Sequence, residues 1–76
     1  MNTLIIENWE RIGPELKAER KKQKKTRKDL TVNSRYLHKN TMYLVETNRV
    51  KPTLPTLAEW ARVLGYDEIV IRFKGG

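Results

Sequence analysis

The sequence predicts a small all-α domain of four to five short helices, followed by a single β-strand. The chain has 76 residues with no cysteine and one histidine, so neither disulfides nor a zinc centre can reinforce its small core. Helix start and stop signals recur across residues 12–65, and an alternating β-branched segment follows them. No repeat or linker divides the chain. We expect one domain over 1–76, with an N-terminal arm (1–11), a helical core (12–65) and a C-terminal strand and tail (66–76).

The first two helices are predicted from their start signals. Pro14 suits the first turn of a helix, and good helix formers continue from it to about residue 24, so the first helix is predicted over about 14–24. Thr26 is a candidate N-cap for a second helix over 27–33, with Asp29 near its positive end and Leu30 facing inward. The pair at 33–34 indicates a turn.

The third helix is predicted over 39–47 and is amphipathic. Thr41, Met42 and Val45 share one face, while the opposite face carries Lys39, Asn40, Tyr43 and Thr47. Asn48 suits a left-handed residue that ends this helix.

The fourth helix starts near Leu54, with Thr53 as its cap and Pro55 in its first turn, and it ends at Gly65. An apolar stripe at helical spacing indicates its buried face: Leu57, Trp60, Ala61 and Leu64.

The predicted strand covers 68–73 and places Ile69, Ile71 and Phe73 on one side. A lone strand is not stable, so it requires a partner. Residues 4–6 of the same chain are one candidate. The same strand of a second copy is the other, and it would form a two-fold symmetric homodimer. Both pairings could occur together.

The charge distribution indicates a polyanionic partner. The formal net charge is +7, and residues 17–28 hold eight basic residues against one acidic residue, so this segment carries the whole excess. Nucleic acid is the usual partner of such a segment. A membrane surface would require bulky apolar residues beside the charges, and Ala18 is the only apolar residue between Leu16 and Leu30. Without a signal peptide or a membrane span, we expect a cytoplasmic protein.

No arrangement of side chains indicates catalysis. The nine carboxylates are scattered, and no metal-ligand spacing is present. Ser34 and His38 are four residues apart, but no acid or glycine-rich loop completes a catalytic site. We therefore expect neither enzymatic activity nor a cofactor or metal.

Residues 12–65 resemble the Cro/C1-type (lambda-repressor-like, XRE) family of helix-turn-helix regulators from phages and bacteria. The resemblance depends on matches at Ile12, Leu16, Arg20, Thr26, Leu30, Met42, Val45, Glu46, Pro52, Leu57, Ala61, Leu64 and Gly65. The chain departs from the family in having one additional residue between Thr26 and Glu46, which predicts a wider turn and leaves the alignment of 31–37 open. It also departs at four positions, namely Glu19, Lys25, Arg27 and Thr31.

The resemblance implies roles for individual residues. The third helix would enter the major groove, with base contacts from Lys39, Asn40 and Tyr43 and marginal ones from His38 and Thr47. Phosphate contacts would come from the basic residues around it: Lys24, Lys25, Arg27, Lys28, Arg49 and Lys51. Arg20 and Glu46 would form a structural ion pair.

These observations predict a dimeric, sequence-specific regulator of double-stranded DNA, most simply a phage or mobile-element repressor that occupies a palindromic operator. A protein-interaction module, such as an antitoxin that binds a partner toxin, is the alternative. Non-specific binding of RNA or single strands would favour aromatic residues among the charges, and residues 17–28 contain none.

Overall fold

A computed structural model describes residues 2–32 and 34–73 of the chain. Along the chain these residues form strand β1 (Thr3–Ile6), a 3₁₀ turn (Trp9–Arg11), helices α1 (Ile12–Lys22), α2 (Arg27–Val32), α3 (Lys39–Glu46) and α4 (Leu54–Val63), and strand β2 (Glu68–Ile71). The domain is therefore mostly helical and also contains a small sheet. The N-terminal segment, which we had predicted to be an arm, contributes one of its strands.

The first helix starts and ends two residues before its predicted limits. The 3₁₀ turn leads directly into α1, and the side chain of Asn8 caps that turn by accepting a hydrogen bond from the backbone N–H of Glu10 at 3.1 Å. Pro14 consequently lies inside the first turn of α1, where its missing N–H removes no helical hydrogen bond.

The predicted caps of the other helices are confirmed. Thr26 and Asp29 cap α2 reciprocally, each side chain accepting from the backbone N–H of the other residue at 3.1 and 2.8 Å. Asn48 follows α3 with a φ of 63°. Thr53 caps α4, and Gly65 follows that helix with a φ of 89°. The predicted last residue of α2, Asn33, lies outside the described residues.

The two strands form a parallel pair in which Leu4 is opposite Ile69 and Ile6 is opposite Ile71. Of the two predicted partners for the C-terminal strand, the segment of the same chain is thus present. The strand ends at Ile71 and does not reach the predicted residue 73. Leu4 and Ile6 are buried, and Ile69 and Ile71 pack against the same core from the paired strand.

The core lies between the sheet and the four helices. Among the described residues its fully buried side chains include Ile6, Ile12, Leu16, Leu30, Met42, Val45, Leu57 and Trp60. The closest backbone approach to a glycine is at Gly13 of α1, because a Cβ there would lie 1.7 Å from the carbonyl oxygen of Val45 in α3. None of the described helices is long and apolar enough to cross a membrane.

Candidate nucleic-acid interface

Helix α3 divides into a buried face and an exposed face. Met42, Val45 and Glu46 are buried. The five residues for which we predicted base contacts are all exposed: His38, Lys39, Asn40, Tyr43 and Thr47. The Thr47 hydroxyl donates to the Tyr43 backbone carbonyl at 2.8 Å, so it is committed to the end of the helix. The other four side chains offer a mixed set of hydrogen-bonding groups along one surface.

Ser34 organises the turn that precedes α3. Its hydroxyl oxygen accepts from the backbone N–H groups of Tyr36 and Leu37, both at 3.2 Å, and the hydroxyl donates to Glu59 of α4 at 2.8 Å. Hydrogen bonds from Arg62, and then from Ser34, hold the pKa of Glu59 below its ordinary value. The turn is thereby attached to α4, and it delivers Leu37 into the core.

A buried carboxylate joins three helices behind the exposed face of α3. Glu46 has a fully buried side chain, and its two oxygens accept from Nε and Nη2 of Arg20 at 2.8 and 3.0 Å. Arg27 at the start of α2 also donates from Nε to Glu46, at 3.1 Å. Arg20 donates from Nη1 to the Lys25 carbonyl at 2.8 Å as well, which connects the turn between α1 and α2 to the same cluster.

The six cations for which we predicted phosphate contacts separate into two groups. Lys24, Lys28 and Arg49 are exposed, and their side chains have no hydrogen-bond partner among the described residues.

The remaining three, Lys25, Arg27 and Lys51, have partners within the chain. Lys25 donates to the Val63 carbonyl at the end of α4 at 3.4 Å, and Lys51 donates to the Glu10 carbonyl at 2.8 Å. A cation at the C-terminal end of α4 stabilises the helix dipole, so Lys25 has a role in the fold itself.

The predicted dimer strand has two kinds of residue. Ile69 and Ile71 are partly buried against the core of their own chain. Phe73 lies beyond β2 and is 71% exposed, with its ring centroid 5.8 Å from that of Trp9. The outer face of the sheet presents Ile5 and Val70, which are paired in register and are 44% and 40% exposed.

Two features of this region were not predicted from the sequence. The first is the close approach of Gly13 in α1 to the backbone of α3. The second is the contact of Arg27 with α3, where its guanidinium carbon lies 5.4 Å from the centroid of the Tyr43 ring. A glycine that precedes a proline in the sequence does not indicate a close approach to another helix. A run of basic residues does not show which of its side chains turn inward.

Among the described residues, no group of three or more histidine, cysteine, aspartate or glutamate side chains could hold a metal ion. Comparison of the chain with protein-family models, with curated proteins and with solved structures finds no match.

Proposed function

We propose that the protein is a dimeric regulator of the lambda-repressor-like helix-turn-helix class, which binds double-stranded DNA sequence-specifically through α3. The two faces of α3 carry this proposal. The core holds one face, and the other presents the side chains of Lys39, Asn40 and Tyr43 to solvent. An asparagine amide can bond the edge of adenine with two hydrogen bonds, and a lysine can donate to the acceptors of guanine.

The exposed cations would supply the contacts with the DNA backbone. Three of them have side chains without hydrogen-bond partners in the described part of the chain. Lys24 lies in the turn before α2, Lys28 at the start of α2, and Arg49 in the turn after α3. Such contacts position a protein on the duplex without reading its sequence. The formal net charge of +7 favours the approach to a polyanion. A protein bound at a promoter in this way would act as a repressor.

The free edge of β2 supports a two-fold symmetric dimer. The backbone N–H groups of Glu68 and Arg72 donate toward β1, so the alternation of a strand turns those of Ile69 and Ile71 toward the opposite edge. An antiparallel copy centred on Val70 would pair Ile69 with Ile71 of the second protomer through backbone hydrogen bonds.

The side chains along this edge are self-complementary in charge. In the same arrangement Glu68 would lie opposite Arg72 of the second protomer, on both sides of a central contact between the two Val70 side chains. Opposite charges directly across two strands are favourable, and like charges are not. Within one protomer both charged residues are exposed, so their present partners, Thr3 and Glu7, are easily exchanged.

Substitution of Val70 by Arg tests this dimer. It would place two like charges directly opposite each other, and sedimentation equilibrium should then find a monomer. Ile5→Arg is the matched control, because Ile5 is the registered neighbour of Val70 on the same face but lies on the other strand. A dimer that persists in Val70→Arg, or one that Ile5→Arg disrupts equally, contradicts pairing through β2.

The exposed Ile5 and Val70 also favour a second candidate, a protein-interaction module such as an antitoxin that binds a partner protein through this sheet face. The product of a neighbouring gene is the protein to test. Its binding should then be lost in both Ile5→Arg and Val70→Arg, whereas a homodimer through β2 depends on Val70 alone.

Selection from a random pool of duplex DNA by the purified protein, followed by sequencing, tests the main proposal. The expected result is an enriched palindrome whose half-sites lie about one helical turn apart, roughly 10 base pairs. Salt-sensitive binding without any enriched sequence would contradict sequence-specific regulation.

Two lysine variants then separate base contacts from backbone contacts. Lys39→Ala and Lys28→Ala each remove one exposed lysine and so change the net charge equally. Lys39→Ala should lose about 1–3 kcal/mol of discrimination at one base position. Lys28→Ala should weaken binding to selected and random DNA alike and reduce the salt dependence by about one unit. Identical behaviour of the two variants would show that α3 does not read bases.

A further inference from the structure

Arg27 connects the start of α2 with two residues of α3 that lie one turn apart. Its Nε donates to Glu46 at 3.1 Å, and its guanidinium carbon lies 5.4 Å from the centroid of the Tyr43 ring. The Arg27 side chain is 33% exposed. It therefore lies between the buried carboxylate and the exposed ring.

Glu46 does not depend on Arg27 for its neutralisation. Arg20, which is itself buried, already donates to both oxygens of the Glu46 carboxylate. The bond from Arg27 adds a second positive charge to one negative charge, so this cluster of three has a net charge of +1. What the bond fixes is the position of the Arg27 guanidinium.

The Tyr43 ring has few other constraints. It is 42% exposed, and among the described residues its hydroxyl has no hydrogen-bond partner. Arg27 is the one cation found over this ring within the described part of the chain. The planar guanidinium of an arginine can stack on an aromatic face while its Nε–H donates to a carboxylate. The ammonium group of a lysine is not planar and cannot stack in this way.

We propose that Arg27 is a positioning residue for sequence readout, which acts through Tyr43 by holding its ring in one orientation on the exposed face of α3. This inference rests on the proposed DNA-binding function and adds a residue that determines specificity without touching a base. A side chain ordered before binding loses less conformational entropy when the DNA arrives. Nη1 and Nη2 of Arg27 have no acceptor among the described residues, so the same group can also receive a phosphate.

Arg27→Lys separates the positioning of the Tyr43 ring from the attraction of a phosphate, because it keeps the charge and removes the planar guanidinium. Any loss of a phosphate contact at this position should weaken binding to selected and random DNA equally, so it cancels in the ratio of the two affinities. The ratio of selected-site to random-site affinity should fall roughly 2- to 5-fold, which is the value of one exposed cation–aromatic contact. Arg49→Lys is the matched control, since Arg49 is exposed and touches no ring in the described structure, and its ratio should not change.

Tyr43 variants determine whether the effect passes through the ring. In a Tyr43→Leu background, Arg27→Lys should cause no further loss of the ratio. In a Tyr43→Phe background, which keeps the ring, it should cause the full loss. Both backgrounds change an exposed position and should fold as the wild type does.

A spectroscopic readout tests the contact without DNA. The ring current of Tyr43 should shift the NMR signals of the Arg27 side chain, and this shift should persist in Tyr43→Phe and vanish in Tyr43→Leu.

Several results would overturn the inference: an unchanged ratio in Arg27→Lys, an equal fall in Arg49→Lys, or a further loss in the Tyr43→Leu background. Failure of the wild type to select any sequence would instead overturn the proposed function together with the inference. The two failures are therefore distinguishable.

Discussion

Replacement of Gly13 by alanine tests the contact that sets the distance between α1 and α3. A Cβ at this position would lie 1.7 Å from the carbonyl oxygen of Val45 and 2.8 Å from the carbonyl carbon. Both atoms belong to the backbone of α3, so no side-chain rotation can relieve the overlap. The two helices would have to separate.

Two opposing effects determine the size of the change. Alanine is favoured over glycine inside a helix by about 1 kcal/mol. Against this, atoms prefer to be roughly 3.5 Å apart, so α1 would have to move by well over 1 Å from a close-packed neighbour. Overpacking of this kind costs about 1–3 kcal/mol, and such a large displacement belongs at the upper end of that range or beyond it. We expect a net loss of about 2 kcal/mol or more.

Urea unfolding, followed by circular dichroism, measures this loss of free energy, and thermal unfolding measures the corresponding change in Tm. For a domain of this size, 2 kcal/mol corresponds to a fall of roughly 8–16 °C in Tm. Gly65→Ala is the matched control, because Gly65 has a φ of 89° and a Cβ there would have no atom within 4 Å. It should lose only the backbone term of about 1–2 kcal/mol. If Gly13→Ala unfolds at the same urea concentration as the wild type, or at a higher one, the interpretation of this contact is wrong.

Three further predictions concern charged groups. Glu46→Gln should lower the free energy of unfolding by about 3–5 kcal/mol in urea titrations, since it leaves the buried Arg20 without an anion; an unchanged midpoint would contradict this. The hydrogen bonds from Thr26 hold the pKa of Asp29 below its ordinary value, so the stability that Asp29 contributes is present above the ordinary carboxyl pKa and is lost as the pH falls through the lowered one. The free energy of unfolding, measured in urea at a series of acid pH values, should therefore fall less steeply with decreasing pH in Asp29→Asn than in the wild type. Lys25→Ala should lower Tm but leave the salt dependence of DNA binding unchanged, because Lys25 caps α4; a flatter salt dependence would return it to the phosphate contacts.

Local signals allowed most of the helical boundaries to be predicted. Thr26, Asn48, Thr53 and Gly65 cap or end their helices through groups within a few residues of one another, so the sequence pattern contains the whole interaction. The start of α1 was predicted two residues too late, because Pro14 was placed at its first position. The preceding 3₁₀ turn depends on the cap by Asn8, a local signal that was not used in the prediction.

Interactions between distant parts of the chain could not be predicted in the same way. The parallel pairing of residues 3–6 with 68–71 was one of two open alternatives, since an alternating strand pattern does not identify its partner. The approach of Gly13 to Val45 depends on how two helices cross, and no pattern around Gly13 specifies that. The exposed face of α3 was predicted because amphipathic periodicity is local.

Glu19 and Lys25, two of the positions at which the sequence differs from the pattern of the family it resembles, make polar contacts with the C-terminal part of the fold. Glu19 stands where an apolar residue is usual, and its carboxylate accepts from the Tyr66 hydroxyl at 2.7 Å and from Gln23 at 3.2 Å. The bond to Glu19 raises the pKa of Tyr66. Lys25, another departure, donates to Val63. Both residues thus attach the basic end of α1 and the following turn to the C-terminal part of the fold by polar contacts.

Contacts with α1 and α2 determine how α3 would work as a reading helix. Its backbone meets α1 at Gly13, and its last residue, Glu46, is held by Arg20 and Arg27, so two other helices fix its position. A helix held in this way loses little conformational entropy when it binds. Differences in specificity must then arise from the side chains on its exposed face. Tyr43 is the exposed residue of that face with a cation over its ring. If the proposed function is correct, Arg27→Lys should alter base preference, measured as the ratio of selected-site to random-site affinity, while the fold stays constant.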